Sequence, residues 1–173
     1  LTNRLFKKDS NNEVFGILFD GAWLFEEYIN TLIGDHYIHP QNTKGIGRHY
    51  LFNDANGLIY PDFISRSSIN RKIADAKYKP INNIRGRDYL QLVAYLHRFE
   101  AAEGYFIYPF QKSLNKKGEK TLTLLSGVEE TSVRDPNVKV IKYGLGIPSQ
   151  ESDFNKFEKV MLHEEAKLKS MIR

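Results

Sequence analysis

Apolar residues recur at helical spacing in three segments, which predict helices over residues 20–33, 88–104 and 149–172. In the first segment, Phe25, Ile29 and Leu32 fall on one side. Gly34 is a suitable C-terminus for this helix, and Gly104 is one for the second. We therefore expect three helices that each bury one apolar side.

Short β-prone runs separated by turn residues predict six strands: residues 48–52, 58–65, 71–78, 105–109, 121–127 and 138–148. The first three are expected to form an antiparallel meander, because only turn-rich segments separate them. Pro109 is expected to end the fourth strand, since proline cannot donate to a sheet ladder. The order of the elements predicts an α/β fold with a mixed sheet flanked by helices.

The third helix is expected to pack against this sheet and to complete a single domain. Its apolar side comprises Phe154, Phe157, Met161 and Leu168. Ser149 or Ser152 is the expected N-cap. Because the sequence has no internal repeat or long linker, we expect one domain over residues 1–173. Its core would cover about 20–109, followed by C-terminal strands and a helix over 110–173.

The composition is that of an ordinary globular domain. Hydrophobic residues make up 41% and charged residues 27%, and no apolar run approaches the ~20 residues of a membrane span. The lack of cysteine excludes disulfide scaffolds, Cys-ligated zinc and thiol nucleophiles, and it fits a cytoplasmic protein. The formal charge of +4 favours a polyanion such as nucleic acid, although ordinary surface charge gives the same balance. The chain starts with Leu1 and not with Met, which suggests excision from a longer protein.

An acidic residue two places before a lysine occurs twice, as Asp75-Ala76-Lys77 and as Glu165-Ala166-Lys167. The second pair lies in the charged third helix and is expected to be a solvated pair. The first lies in a predicted strand beside the apolar Ile73. Since strand residues two apart share a face, Asp75 and Lys77 should point the same way.

Pro61-Asp62 lies on the preceding strand of the same predicted hairpin. Proline within a strand indicates an edge or a distortion there. Asp62, Asp75 and Lys77 can then converge, either on a wet face or around something cationic. Two carboxylates held close together would take up a proton unless a hard divalent cation neutralises them. The hairpin therefore predicts a magnesium or manganese site.

A third acid is expected from the first helix, where Glu26 and Glu27 compete. At ~100° per residue, Glu26 falls at the edge of the apolar stripe and Glu27 points away from it, which favours Glu26. On the second helix Gln91 and Tyr95 are four residues apart and share a face. That face could look toward the hairpin or toward nucleic acid, although an exposed helical glutamine is also common.

Other polar residues have weaker patterns. Basic side chains flank the predicted site in turns and loops, where they could contact phosphates or form solvated surface: Arg66, Lys79, Arg85 and Arg87. His36 and His39 have a spacing that occurs in zinc sites, but no cysteine or second histidine pair accompanies them. We interpret them as loop histidines.

Four sequence blocks, in this order, resemble those of the PD-(D/E)xK nuclease superfamily, which has an αβββαβ core: LFEEYI, YPDFI, IADAKYKP and RDYLQLVAYLHRFEAAEGYFIYP. More narrowly, the blocks look like those of McrC, the nuclease subunit of modification-dependent restriction systems, and of its LlaJI-type relatives. The resemblance covers residues 20–109. It implies a restriction-endonuclease-like fold and a Mg²⁺-dependent DNA endonuclease.

The resemblance also implies roles for single residues. Asp62 and Asp75 would ligate Mg²⁺, the Ala76 carbonyl would add an oxygen ligand, and Glu26 would bind directly or through water. Mn²⁺ is a possible substitute. Lys77 would orient the attacking water and offset charge that builds up on the phosphate.

Gln91 would steady the site or the DNA backbone, with Tyr95 in a supporting place. The implied partners are DNA and an AAA+ GTPase motor of the McrB type, with a homodimer as a further possibility. Two alternatives stay open: a repair or junction-resolving nuclease of the same superfamily, and a noncatalytic DNA-binding or scaffold subunit. No membrane partner is expected.

Overall fold

The computed structural model describes residues 20–40, 47–111, 118–127, 133–148 and 151–173, together with four two-residue strands before residue 20. These four strands form two antiparallel pairs, β1 with β4 and β2 with β3: β1 (Arg4–Leu5), β2 (Lys8–Asp9), β3 (Asn12–Glu13) and β4 (Gly16–Ile17). The remaining strands are β5 (Tyr37–Ile38), β6 (His49–Tyr50), β7 (Leu58–Ile59), β8 (Phe63–Ser65), β9 (Lys72–Ala76), β10 (Glu103–Gln111), β11 (Glu119–Ser126) and β12 (Val133–Ile147).

Six of these strands form one mixed sheet in the order β11-β12-β10-β9-β8-β5. The pairs β9–β10 and β10–β12 are parallel, and the other neighbours are antiparallel. The helices are α1 (Gly21–Ile33), α2 (Gly86–Arg98) and α3 (Phe154–Ile172), with one 3₁₀ turn over Ile81–Asn83. The predicted α/β class with a mixed sheet flanked by helices is confirmed.

The helices cover opposite faces of the sheet. Residues of α1 and α3 share one buried cluster with the strand residues Phe63 and Ala74. Residues of α2 share a second cluster with Ile64 and Ile73. Because neighbouring strand residues point to opposite faces, Asp75 belongs to the face under α2. This arrangement decides which helix can approach which side chain of the site.

Helix α1 follows the prediction closely. Asp20 caps it, because the Asp20 carboxylate accepts from the main-chain N–H groups of Ala22 and Trp23. Its buried residues are Phe25, Ile29, Leu32 and Ile33. The predicted bounds and apolar side of this helix are confirmed.

The predicted three-strand meander is wrong in its first member. Strand β6 pairs with β7 in a separate two-stranded sheet, and only β8 and β9 continue into the main sheet. The single strand predicted over 58–65 is interrupted between Ile59 and Phe63. Pro61 lies in that interruption and lacks the N–H that a continuous ladder requires.

Helix α2 was predicted to end at Gly104 and instead ends at Arg98. Glu100 adopts a left-handed conformation with φ of 52°. The main-chain N–H of Ala101 donates to the Leu96 carbonyl at 2.9 Å, which closes a Schellman turn. Gly104 instead lies in β10, where an added Cβ would stand 3.0 Å from Leu92 of the covering helix.

Pro109 does not end its strand, contrary to the prediction. Strand β10 continues to Gln111, and Pro109 is opposite Leu145 of β12. The pairing of β10 with β9 stops at Ile107. Beyond Ile107 no described strand pairs with this side of β10, and proline is tolerated at such an edge.

The C-terminal strands and helix are confirmed, with corrections at the start of α3. The N-cap is Asp153 and not Ser152, since the Asp153 carboxylate accepts from the N–H of Asn155 at 3.0 Å. Ser149 lies outside the described residues. Phe154 is 73% exposed, whereas Leu168 is fully buried, so the apolar side begins later than predicted. Among the described residues, no helix is both long and apolar enough to cross a membrane.

Candidate active site

The β8–β9 hairpin brings Asp62 and Asp75 together. Asp62 directly precedes β8, and its Oδ2 accepts a hydrogen bond from the Ala76 main-chain N–H at 2.9 Å. Asp75 lies in β9 and is only 2% exposed. In the neighbouring strand, Phe106 is opposite Asp75 and is fully buried. The hairpin therefore holds one acid in the interior and the other at the entrance to β8.

Burial and mutual repulsion disfavour two negative charges at this place. Loss of water raises the pKa of Asp75 above its ordinary value, and the Asp62 carboxylate raises it further. Burial also raises the pKa of Asp62, with a smaller upward contribution from Glu26. Without a cation beyond Lys77, the pair has a tendency to keep a proton.

Lys77 supplies the positive charge next to Asp75. Its ammonium lies 2.6 Å from the Asp75 Oδ2, and this contact lowers the pKa of Asp75 without cancelling the effects of burial and of Asp62. Burial alone would lower the pKa of Lys77, but the nearby carboxylates, with Asp75 first, together raise it.

Glu26 and Glu27 of the first helix both lie near this hairpin, but their side chains differ in solvent exposure. The Glu26 side chain is 27% exposed and that of Glu27 is 40% exposed. Burial raises the pKa of Glu26, and the charges of Asp75 and Lys77 also act on it. Glu26 is therefore the helix acid that shares an electrostatic environment with the hairpin.

The predicted three-acid cluster is not preassembled. Over the part of the chain that the structure describes, no three His, Asp or Glu side chains are close enough to form a metal cluster. The fold gives the reason: Asp75 projects from the face under α2, whereas Glu26 belongs to α1 on the opposite face. Contact of all three with one ion would need side-chain rotation at the end of the hairpin.

The donor set nevertheless fits a hard divalent cation. Carboxylate and carbonyl oxygens are the ligands that Mg²⁺ and Mn²⁺ take in proteins. The Asp75 Oδ2 is buried and has the Lys77 ammonium as its ionic neighbour. Asp62 and Asp75 also repel each other, which a cation would relieve. Asp62, Asp75, the Ala76 carbonyl and, after rotation, Glu26 are the residues that could hold such an ion.

Gln91 and Tyr95 lie on the predicted common face of α2 and contact each other. The Gln91 amide donates to the Tyr95 hydroxyl at 2.6 Å, and this hydroxyl donates to the Tyr60 carbonyl at 3.0 Å. Tyr95 is 2% exposed, which leaves it no surface for the predicted contact with nucleic acid. Its contacts instead connect α2 to the residues just before Asp62.

The predicted basic residues divide into two groups. Lys79 contacts Asp88 in the first turn of α2, Arg85 is the N-cap of this helix and Arg87 lies in its first turn. Arg66 lies beyond the other end of β8, about 13 Å of strand away from Asp62. The prediction that Arg66 flanks the site is therefore wrong, because the hairpin carries the turn residues away from the carboxylates.

Two residues of this region were missed by the sequence analysis. Asp88, in the first turn of α2, accepts from the Lys79 ammonium with both oxygens at 2.8 Å and lies 4.0 Å from the Lys77 ammonium. These contacts lower the pKa of Asp88 although burial acts in the other direction. Its place three residues after Arg85 is that of a helix-capping acid, which was the available signal. His39, interpreted as a loop histidine, contacts the Asp62 carbonyl and had no sequence signal.

Comparison with known proteins identifies the family to which this chain belongs. A family model described as McrBC 5-methylcytosine restriction system component matches residues 2–109, more than half of the chain. The matched segment contains every site residue discussed above. No curated protein matches the chain with significant similarity.

Proposed function

Because this chain belongs to the family of McrBC 5-methylcytosine restriction system components, we propose that it is the DNA-cleaving subunit of such a system. The proposed reaction is Mg²⁺-dependent hydrolysis of DNA phosphodiester bonds, with Mn²⁺ as a substitute. The proposed active site is of the PD-(D/E)xK type. Family membership supports a restriction-system subunit, and the chemistry of the hairpin supports the finer assignment to cleavage.

One observation carries the proposal: Asp75 is buried, repelled by Asp62 and in contact with Lys77. In a noncatalytic scaffold subunit, two carboxylates whose ionised forms are disfavoured by burial would only lower stability. Strongly perturbed acids next to a lysine are typical of catalytic sites. The arrangement therefore favours an enzyme over a noncatalytic subunit.

The residues have distinct proposed tasks. A bound Mg²⁺ would polarise the phosphoryl oxygen and make water nucleophilic near neutral pH. Asp62 and Asp75 would hold this ion together with the Ala76 carbonyl, and Glu26 would complete the set directly or through water. The Lys77 ammonium would face the phosphate and offset negative charge there. Gln91, fixed by the Tyr95 hydroxyl, would steady the residues ahead of Asp62.

The basic side chains at the start of α2 are proposed to contact the DNA backbone. Arg85 and Arg87 are exposed and would meet phosphates directly. Lys79 is bound by Asp88 and would contribute less. Because such contacts carry no sequence information, recognition of modified DNA is assigned to a partner.

The proposed partner is an AAA+ GTPase of the McrB type, as expected for a subunit of this kind of system. One site hydrolyses one strand, so a double-strand break requires two copies of the chain or two successive cuts. A homodimer or an assembly on the motor would supply both copies.

Plasmid nicking tests the proposal. The wild-type protein with Mg²⁺ should convert supercoiled plasmid to open circles, and EDTA should abolish the conversion. Asp75→Ala should lose the activity by at least about 10³-fold, whereas Asp35→Ala, at an exposed aspartate outside the site, should retain it. Equal nicking by all three proteins would end the catalytic assignment.

A further inference from the structure

His39 lies where helix α1 meets the β8–β9 hairpin. Its Nδ1 is 2.9 Å from the main-chain oxygen of Asp62. Because a carbonyl oxygen only accepts, Nδ1 carries the proton and donates it. The ring stacks on Phe63 with 4.9 Å between centroids and 25° between planes, and the side chain is 10% exposed. Both contacts fix the orientation of the ring.

The second ring nitrogen of His39 faces helix α1. Its Nε2 lies 3.4 Å from the Glu27 Oε1 and 3.7 Å from the Glu26 Oε1. The His39 ring therefore lies between the main chain of Asp62 and both carboxylates that the sequence offered as the helix acid.

The main chain at Asp62 lies just outside the β8–β9 ladder, although the Asp62 side chain is hydrogen-bonded to the Ala76 N–H of β9. Asp62 precedes β8, next to the interruption at Pro61, so the β8–β9 ladder does not include it. The histidine N–H thus supplies a restraint that the sheet does not provide. Of the two carboxylates, that of Glu27 lies nearer to Nε2 and that of Glu26 is the less exposed.

We propose that His39 is a positioning residue that sets the Asp62 and Glu26 carboxylates for cation binding. The inference rests on the proposed function, because it assumes that these acids bind a divalent ion. Residues that orient metal ligands through hydrogen bonds typically change metal affinity by about 10–100-fold when they are removed. His39 acts through the ligands and touches neither metal nor DNA in this assignment.

His36 provides the matched control. It lies three residues earlier, is exposed, and contacts the Arg173 side chain through its Nε2 at 3.1 Å. Its main-chain oxygen accepts from Arg66 at the far end of the hairpin. Replacement of His36 thus removes a histidine of the same loop region without touching the carboxylates.

Direct titration with Mn²⁺, followed by electron paramagnetic resonance of the free ion, tests the inference without DNA or turnover. The wild-type protein and His36→Ala should bind Mn²⁺ alike. His39→Ala should bind it about 10–100-fold more weakly. His39→Asn should recover most of the affinity, because its amide can donate from near the Nδ1 position to the Asp62 carbonyl.

Two results would overturn the inference: His39→Ala binds Mn²⁺ as tightly as the wild type, or His39→Asn binds as weakly as His39→Ala. If His39→Ala fails to fold, the Mn²⁺ affinities of His39→Asn and His39→Gln are compared instead. His39→Asn should bind more tightly, since the longer glutamine amide does not reproduce the Nδ1 donor. Equal affinities of that pair would then refute the positioning role.

The same titration separates this inference from the proposed function. A wild-type protein that binds no Mn²⁺ would overturn both. A wild-type protein that binds Mn²⁺ and nicks plasmid, beside a His39→Ala variant with unchanged affinity, would overturn only the role of His39.

Discussion

An acid two places before a lysine occurs at the end of strand β9 and within helix α3. Lys77 directly follows β9, and its ammonium lies 2.6 Å from Asp75, because residues two apart along an extended chain share a face. In α3 the same separation turns two side chains about 200° apart. Glu165 there accepts from the Tyr28 hydroxyl at 2.6 Å, while Lys167 is exposed.

The two pairs also differ in their surroundings. Asp75 is 2% exposed and lies beside a second carboxylate, so its charge is unfavourable unless a cation is near. Glu165 is half-buried, and its carboxylate accepts a hydrogen bond from the neutral Tyr28 hydroxyl of α1. A short motif therefore has chemical meaning only when its spacing matches the period of the element that carries it.

The largest expected difference between the two pairs is in catalysis. Lys77→Ala should slow Mg²⁺-dependent plasmid nicking by about 10²–10³-fold, because it removes a fixed positive charge beside the phosphate. Lys167→Ala should leave the nicking rate unchanged. If both variants nick plasmid at the wild-type rate, Lys77 has no catalytic role and the two motifs do not differ in catalysis.

The next largest effect concerns Glu26, the third candidate carboxylate. It is expected to act together with Asp75 and Lys77 and not with the pair in α3. Glu26→Gln should raise the Mg²⁺ concentration that gives half-maximal nicking by about 10–100-fold, since it removes a candidate ligand. Glu27→Gln should raise this Mg²⁺ concentration less, because Glu27 lies closer to His39 and its side chain is more exposed than that of Glu26. A larger effect at Glu27 would reverse the assignment.

Stability should depend on pH through Asp75. Its folded-state pKa lies above the ordinary value of 3.8, first because of burial and then because of Asp62. The folded state therefore holds a proton that the unfolded state has already lost, so metal-free stability should fall as pH rises from about 4 toward and past neutrality.

Replacement of Asp75 tests this linkage. At pH 8 in EDTA, Asp75→Asn should be more stable than the wild type by about 1–3 kcal/mol, as measured by urea unfolding. Glu165→Gln should give no comparable gain. A wild-type protein that gains stability over the same pH range would contradict the expected sign.

The smallest effect belongs to the helix pair. Tyr28→Phe removes the hydrogen bond to Glu165 and should lower the free energy of unfolding by about 1 kcal/mol, with no change in nicking. Urea unfolding and the plasmid assay measure the two quantities on the same sample. A loss of nicking with unchanged stability would give the α1–α3 contact an unexpected catalytic role.

Strong periodicity made much of the fold predictable. The bounds of α1 and the existence of α2 and α3 follow from apolar spacing, which local sequence sets directly. The end of α2 did not, because Glu100 takes a left-handed conformation that sequence rules expect of glycine. The separate β6–β7 pair was also missed, since strand pairing depends on partners distant in sequence.

The site was predictable where one hairpin determines it. Asp62, Asp75 and Lys77 are neighbours because β8 and β9 are antiparallel and adjacent. The approach of His39 depends instead on how the segment after β5 packs against α1, which no local pattern encodes. The same limit applies to Glu26, whose distance from the hairpin is set by the packing of α1 on the opposite face.

The central position of β10 makes the acidity of the site depend on residues that are distant in sequence. Asp62 and the Ala76 N–H are 14 residues apart and can meet by closure of a short loop. Phe106, which shields Asp75 from water, comes from a strand 31 residues later in the chain. Burial, the first cause of the raised pKa of Asp75, therefore depends on a strand that is distant in sequence. A β8–β9 hairpin without β10 beside it would leave Asp75 in contact with water and remove that cause.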